Sequence, residues 1–371
     1  MVFLDNPLVS VIIPVYNSEA YLPELFDSLS NQTLTNFEMI CVDDNSSDDS
    51  LRLLNMYAEN DSRVSIIALQ QNMGAGGARN IALDKVRGQF FCFVDSDDFI
   101  EPNMLKDLVE VAQQTNADVV IFGLDQYREQ DSTYAPMHHA VVEGKIPAKE
   151  VFWPAEIENF YKYMVGFTVN KLYRTEFFKP LAIRFPDIGA HEDMPFTYAA
   201  VSAAKRVYYY DETLYHYRRQ REGSRSDETN DQFVYMFEAL ECLMEELMRL
   251  GIFKDYEQCF ENYVLHMASW KYSETHGLTR MRFHDAFREE WAFKLGVANR
   301  NDDYFFIESE KQFLKRALAQ PYVNQLEEDL ERSNSEIRRL KKIIKRLNKK
   351  IDDLEGLPFI HILKRFGGRQ D

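Results

Sequence analysis

The first 125 residues switch between two hydrophobic periods in regular alternation. Residues 9–13 (VSVII) form a short β-branched run that stops at Pro14. Leu22, Leu25, Phe26 and Leu29 then recur at helical spacing within residues 20–30. Residues 37–42 (FEMICV) read as a second strand. Residues 49–58 read as a second helix, with Ser47 or Asp48 as its N-cap. A third strand is expected at 64–69 and a third helix at 75–86. Residues 90–94 (FFCFV) are wholly apolar, which suits a buried strand. Pro102 suits the first turn of a helix running to about Thr115, and 118–122 is a fifth strand. Four β-α units followed by a strand predict an α/β fold: a mainly parallel, Rossmann-like sheet with helices on both faces. Ligands of such sheets bind beyond the carboxyl ends of the strands. The polar clusters at those ends are therefore where function is sought.

The remaining chain is organised differently. Residues 126–190 show short strands and turns, and 192–319 read as mostly helical and rich in aromatics, among them Trp153, Tyr161, Tyr209 and Trp270 just before and within that stretch. With 43 Lys+Arg against 60 Asp+Glu, the net charge of −17 argues against binding nucleic acid through bulk charge. Cys41, Cys92, Cys242 and Cys259 show no CxxC spacing, so a zinc site is not expected, and Cys41 and Cys92 read as small core residues of a reducing compartment. No apolar run reaches the length of a membrane span, so a cytoplasmic location is expected, with peripheral contact to the inner face of the cell membrane left open.

Two acidic clusters follow strands. Asp43, Asp44, Asn45, Ser46, Ser47, Asp48 and Asp49 follow the second, and Asp95, Ser96, Asp97 and Asp98 follow the fourth. Asp95 and Asp97 stand two apart, so in extended chain both side chains face one point. Two such carboxylates suit a hard divalent ion that keeps positions open for phosphate oxygens. Asp48 and Asp49 read more simply as the start of a helix. After the third strand, Gly74, Gly76 and Gly77 make a glycine-rich turn into a helix that carries Arg79, a residue suited to pairing with the aspartates or with a diphosphate.

Taken in order, VSVIIPVYNSEAYLPELFDSLSNQT, FEMICVDDNSSDDS and NMGAGGARNIALDKVRGQFFCFVDSDDFIEP resemble glycosyltransferase family 2, the inverting enzymes of the GT-A fold, over residues 8–125. Farther on, IGAHEDMPF (188–196) looks like the family's Glu-Asp segment, and YHYRR (215–219) with GSRS (223–226) looks like its lid. The resemblance implies that Pro14, Tyr16 and Asn17 line a nucleotide base pocket. Asp44 would accept the base ring N–H, which favours uracil. Arg79 would approach the ribose or diphosphate, with Asp95 and Ser96 also at the nucleotide sugar. Asp97 would bind Mn²⁺ or Mg²⁺, with His216 as a further metal ligand or diphosphate contact. Arg218, Ser224 and Arg225 would serve the diphosphate from the lid. Asp193 would be the catalytic base, beside Glu192. The implied activity is metal-dependent transfer of a sugar from a nucleotide-diphospho donor, a UDP-sugar by preference, to an acceptor hydroxyl on a cell-surface glycan or lipid-linked oligosaccharide. Two rivals are a coiled-coil scaffold with an inactive transferase domain and a sugar nucleotidyltransferase. The second expects Lys and Arg in the loop after the first strand, and residues 14–19 contain neither.

The tail carries the clearest periodicity. Val323, Leu326, Leu330, Ser333, Ile337, Leu340, Ile344, Leu347, Ile351 and Leu354 are spaced three and four apart, a heptad seam. With Val323 at position a, β-branched residues dominate the a sites and leucine the d sites, which favours a parallel dimer; Ile343 at g leaves a trimer or tetramer open, and acidic 327–331 with basic 338–350 leaves antiparallel pairing open. Gly356 and Pro358 end the helix. Beyond them Phe359, Ile360, Ile362, Leu363 and Phe366 make a short apolar face beside Lys364, Arg365 and Arg369, which suits a membrane surface or docking onto the protein itself. The expected organisation is a GT-A domain at 1–225 (nucleotide-binding half 1–125, acceptor half 126–225), a helical region at 226–320, a coiled coil at 321–355 and a basic amphipathic tail at 356–371.

Overall fold

A computed structural model describes residues 6–219 and 233–355. Its strands are β1 (Val9–Val15), β2 (Phe37–Asp43), β3 (Val64–Ala68), β4 (Phe90–Phe93), β5 (Phe99–Ile100), β6 (Val119–Arg128), β7 (Thr133–Pro136), β8 (Val151–Phe152), β9 (Lys171–Arg174) and β10 (Val207–Arg219). They form one sheet in the order β3-β2-β1-β4-β9-β6-β10-β5, with β7 on β6 and β8 on β10. The block β3-β2-β1-β4 is parallel, as is β6 with β10. The sheet is nevertheless mixed, because β9 enters antiparallel between β4 and β6. The mainly parallel expectation missed this insertion, which lies in the stretch read as irregular.

The alternating pattern explains both layers of the core. On β1, Ile12 joins the cluster on one face of the sheet, while Val9, Val11, Ile13 and Val15 join the cluster on the other. On β4, Phe91 and Phe93 face one way, and Phe90 and Cys92 the other. Helix α1 (Leu22–Ser30) buries Leu22, Leu25, Phe26 and Leu29, the stripe visible in the sequence. Each such side chain contributes about 1.5–3 kcal/mol of transfer free energy. Helices α2 (Ser50–Asn60), α3 (Gly74–Leu83) and α4 (Met104–Thr115) follow in the predicted order.

Pro14 does not stop β1. In a parallel strand alternate residues bond to opposite neighbours. Val15 accepts from Asp44 N–H on the β2 side, and Ile12 accepts from Val94 N–H on the β4 side. Pro14 shares the β4 side with Ile12, and the ladder to β4 ends at Ile12. The missing N–H thus falls where no partner strand remains.

Short helices α5 (Phe160–Tyr163) and α6 (Thr175–Phe178) flank β9, and α7 (Asp193–Ala203) packs under the sheet. The expectation of helix from 192 to 319 fails at β10, whose Val207, Tyr208, Tyr209, Tyr210, Tyr215 and Tyr217 are strong strand formers. Beyond it come α8 (Phe233–Arg249), α9 (Phe253–Glu274), α10 (Gly277–Ala286), α11 (Ala292–Lys294), α12 (Glu308–Ala319) and α13 (Tyr322–Glu355). Among the described residues no helix is long and apolar enough to cross a membrane. The basic amphipathic tail (356–371) lies outside the described residues.

Candidate active site

Three loops meet beyond the carboxyl ends of β1, β2 and β4. After β1, Tyr16 is exposed and Asn17 adopts a left-handed φ of 49°. That turn lets Asn17 Oδ1 accept from Ser47 N–H (2.8 Å), while Asn17 N–H donates to Ser46 Oγ (3.1 Å). Ser18 N–H donates to Ser50 Oγ (2.8 Å), and Ser18 Oγ lies 2.7 Å from Ser96 Oγ. Of the predicted nucleotide residues, Asn17 and Ser96 are thus stitched into one rim, beside exposed Tyr16 and just beyond buried Pro14 at the end of β1. Asp44 is buried, and its Oδ1 accepts from Met73 N–H at 2.6 Å, just before the glycine turn into α3. Gly76 allows close packing there: a Cβ would lie 3.1 Å from both Phe185 Cβ and Glu192 Cγ.

The loop after β4 is held from β10. Tyr215 hydroxyl donates to Asp98 Oδ2 (2.6 Å) and accepts from Asp95 N–H (3.1 Å). Arg218 N–H donates to Asp98 Oδ1 (2.8 Å), and Arg218 Nε donates to the Asp97 carbonyl (2.8 Å). Burial, with Asp97 and Asp95 close by, raises the Asp98 pKa well above the ordinary carboxylate range. Arg218 was expected on a lid. It is instead buried, ion-paired with Glu24 and Glu129, and ringed by Tyr21, Phe99 and Tyr127. Sequence reasoning gave no role to Asp98 or Tyr215. The extra aspartate directly after Asp97 was the one available signal.

Arg79 gathers the acids. It is buried on α3, and its Nη2 donates to Asp95 Oδ1 (2.7 Å) while Nη1 donates to Asp193 Oδ1 (2.8 Å), with Glu192 Oε1 at 3.9 Å. The predicted loop aspartate and the predicted base, 98 positions apart in the sequence, thus meet on one guanidinium. Asp193 opens α7 after His191, which takes a left-handed φ of 65°. Burial pushes the Asp193 carboxyl up. Arg79 opposes that, Glu192 and Asp95 add to it, and the result is about 7. A carboxylate poised there exchanges protons near neutral pH.

His216 is placed otherwise than a metal ligand would be. Its Nδ1 lies 2.8 Å from Asp125 Oδ1 and its Nε2 lies 2.9 Å from Glu101 Oε1. Burial alone would lower its pKa, but the two carboxylates outweigh that and raise it. Alternation along β10 turns it away from the face of Tyr215. Ser224 and Arg225 lie outside the described residues.

A family model described as "Glycosyl transferase family 2" matches residues 10–182. The chain is 35% identical over 218 residues to the uncharacterized glycosyltransferase EpsJ of Bacillus subtilis, a match that covers 57% of this chain and 61% of EpsJ. It is 30% identical over 226 residues to the glycosyltransferase GlyG of Streptococcus pneumoniae, covering 59% of this chain and 73% of GlyG. The chain thus spans about three-fifths of the length of EpsJ and of the similar B. subtilis protein EpsH. Among solved structures, the 1–349 portion of S. aureus TarS in complex with UDP-GlcNAc superposes with a TM-score of 0.66 at 23% identity, over 84% of this chain and 88% of that one. At that identity the likeness establishes a shared GT-A-type fold.

Proposed function

The chain belongs to glycosyl transferase family 2, and from that premise we propose that it transfers a sugar from a UDP-sugar to an acceptor hydroxyl with inversion at the anomeric carbon. The observation that carries the reading is the Arg79 clamp, which sets Asp193 and Asp95 on one cation at the catalytic edge of the sheet. The rim of Pro14, Tyr16 and Asn17 takes the base, with Asp44 reading its ring N–H, and Asp95 and Ser96 stand at the ribose. Asp193 takes the proton of the acceptor hydroxyl as its oxygen bonds to C1. The bond from C1 to the diphosphate oxygen breaks on the opposite face, and UDP departs with the electron pair. Arg79 adds fixed positive charge beside the departing diphosphate. The TarS structure holds UDP-GlcNAc on this fold, which supports uridine as the first base to test.

The donor set fits a divalent cation that is shared with the substrate. Among the described residues no cluster of three or more His, Cys, Asp or Glu is arranged to hold a metal ion. Asp97, with Asp95 beside it, supplies hard oxygen donors, and substrate phosphate oxygens and water complete such a shell. Bound there, Mn²⁺ or Mg²⁺ supplies charge neutralisation on the leaving diphosphate. His216 is not carried forward as a ligand, because both ring nitrogens face carboxylates.

Thermal stabilisation by UDP, GDP, CMP and dTDP, each with and without Mn²⁺, tests the donor. The expected result is a shift with UDP that needs the metal, since ligand at 100 times its Kd adds about 2.7 kcal/mol. Equal shifts with all four nucleotides, or none, would count against a UDP-specific site.

We also propose that α13 pairs with α13 of a second copy. Its 34 residues make a helix about 51 Å long. Tyr322 and Gln325 dock its start: both are buried, and Gln325 Nε2 donates to the Arg316 carbonyl at 2.5 Å. Beyond that start Leu330, Ile337, Leu340, Ile344 and Leu347 are all exposed, between 48% and 62%. In parallel register Glu336 at g meets Lys341 at e of the partner, an attractive pair. Light scattering should return a dimer mass at micromolar concentration. Ile337→Asp with Ile344→Asp should return a monomer that still shifts with UDP. A monomeric wild type would exclude the coiled coil.

A further inference from the structure

The segment that leads into β9 reaches the catalytic edge. Because β9 runs antiparallel to β4, with Leu172 opposite Cys92, the residues before Lys171 extend past the carboxyl end of β4 toward Asp95. Lys171 is fully buried and gathers this segment around its ammonium group. Its Nζ donates to the carbonyls of Val165 (3.0 Å) and Phe167 (2.5 Å) and to Asn170 Oδ1 (2.6 Å). Three acceptors use the three N–H bonds of the charged amine. The backbone at Phe167 is therefore fixed from beneath.

The same segment abuts the first turn of α7. A Cβ at Gly166 would lie 3.1 Å from Met194 Cα and 3.2 Å from Tyr198 Cε2, so the segment packs tightly against the first turns of α7, next to Asp193. The next side chain, Phe167, stacks on Tyr217 with ring centroids 6.1 Å apart and planes 23° apart. Tyr217 stands two residues beyond Tyr215 on β10, on the same face of the strand. Tyr215 is the residue whose hydroxyl reaches Asp95 N–H. Both rings of the pair are half-buried, which leaves part of each open. The pair thus lies beside the aspartate loop, whose acids act on the Tyr217 hydroxyl, and follows directly on the backbone at Gly166 that abuts α7.

We propose that Phe167 and Tyr217 form the acceptor platform, on which a pyranose ring of the acceptor stacks and presents its hydroxyl to Asp193. A pyranose has an apolar C–H face and a polar rim, and this pair offers an apolar surface edged by one hydroxyl. The inference rests on the reading of Asp193 as the base. It assigns a glycan acceptor with a ring at the reacting position, in preference to an acyclic polyol.

Saturation-transfer NMR of the full chain with UDP and Mn²⁺ tests this, using methyl β-D-glucopyranoside, methyl β-D-galactopyranoside and ribitol as probes. The ring C–H protons of at least one pyranoside should receive saturation from the wild type, and ribitol should not. Phe167→Ala should raise the pyranoside Kd about fivefold to tenfold. Phe167→Leu, which keeps the apolar volume and removes the ring, should do the same and guards against a folding defect. Tyr217→Phe, which keeps the ring and removes only the hydroxyl, should lose less affinity than Phe167→Leu. Equal saturation in wild type and Phe167→Leu, saturation of ribitol alone, or no saturation of either pyranoside by the wild type would overturn the proposal. The UDP melting shift is read on the same samples without any acceptor. Failure of the donor reading and failure of the platform therefore give different results.

Discussion

Asp193→Asn is expected to lower kcat by about a hundredfold to ten-thousandfold, the usual worth of a placed general base. The amide keeps the shape and one acceptor oxygen toward Arg79 but does not take a proton. Binding of UDP, which the rim residues carry, should persist, so the melting shift with nucleotide should remain. The wild-type pH profile follows from the same carboxyl. Burial, opposed by Arg79 and reinforced by Glu192 and Asp95, sets its pKa at about 7 in the free protein. A base must be ionised to act. Below that pH the protonated form dominates, and kcat/KM should fall about tenfold per unit of pH. The acid limb should vanish in Asp193→Asn. Wild-type-like turnover in that variant would remove Asp193 from the chemistry.

Arg79→Met is expected to be the most damaging substitution for stability. The guanidinium is buried and holds Asp95 and Asp193 at 2.7 and 2.8 Å, with Glu192 near. Without it three carboxylates face one another with their shared cation gone. Removing one partner of a buried ion pair costs about 3–5 kcal/mol. For a domain of this size that lowers Tm by about 10 °C. The sign with pH is distinctive. Arg79 holds the Asp193 carboxyl down, so its loss raises that folded-state pKa further, and a raised carboxyl contributes stability below its unfolded pKa that is lost as pH rises through the folded one. The defect should therefore be largest at pH 8 and shrink toward pH 5. Arg79→Lys keeps the charge but lacks the fork that reaches both acids, and should fall between the two. A defect independent of pH would mean that packing alone explains the loss.

The parts of this architecture that were legible in the sequence are those built from local pattern. The runs 9–13, 37–42 and 90–94 are apolar and β-branched or aromatic, and each emerges as a strand because burial on both faces selects that composition. The acids after β4 were legible because a wholly apolar strand ends directly in them. Two strands escaped. β9 begins with Lys171, and a charged residue in a buried four-residue strand breaks the apolar signature; its ammonium is satisfied by carbonyls that only the folded loop supplies. β10 interrupts its tyrosine pattern at Asp211 and Glu212, where its register to β6 also shifts, so neither period is clean.

The site divides in the same way. Asp95, Asp97 and Asp193 stand out by motif. The convergence of Asp95 and Asp193 on Arg79 does not, since α3 and α7 meet on one face of the sheet only once it has formed. His216 and Arg218 were read as a metal or diphosphate contact and a lid residue because they open the arginine-rich segment that resembles the family's lid. Alternation along β10 and the carboxylates of Glu24, Glu129, Asp125 and Glu101 bury them instead. These acids come from four separate elements and loops, and no spacing in the chain announces the meeting.

The most direct measurement is the configuration of the first sugar released when the protein acts on UDP-α-D-glucose or UDP-N-acetyl-α-D-glucosamine, read by proton NMR before mutarotation. A single displacement assisted by Asp193 predicts the β-anomer first, in the wild type and not in Asp193→Asn. The α-anomer appearing first would contradict single displacement and, with it, the role assigned to Asp193.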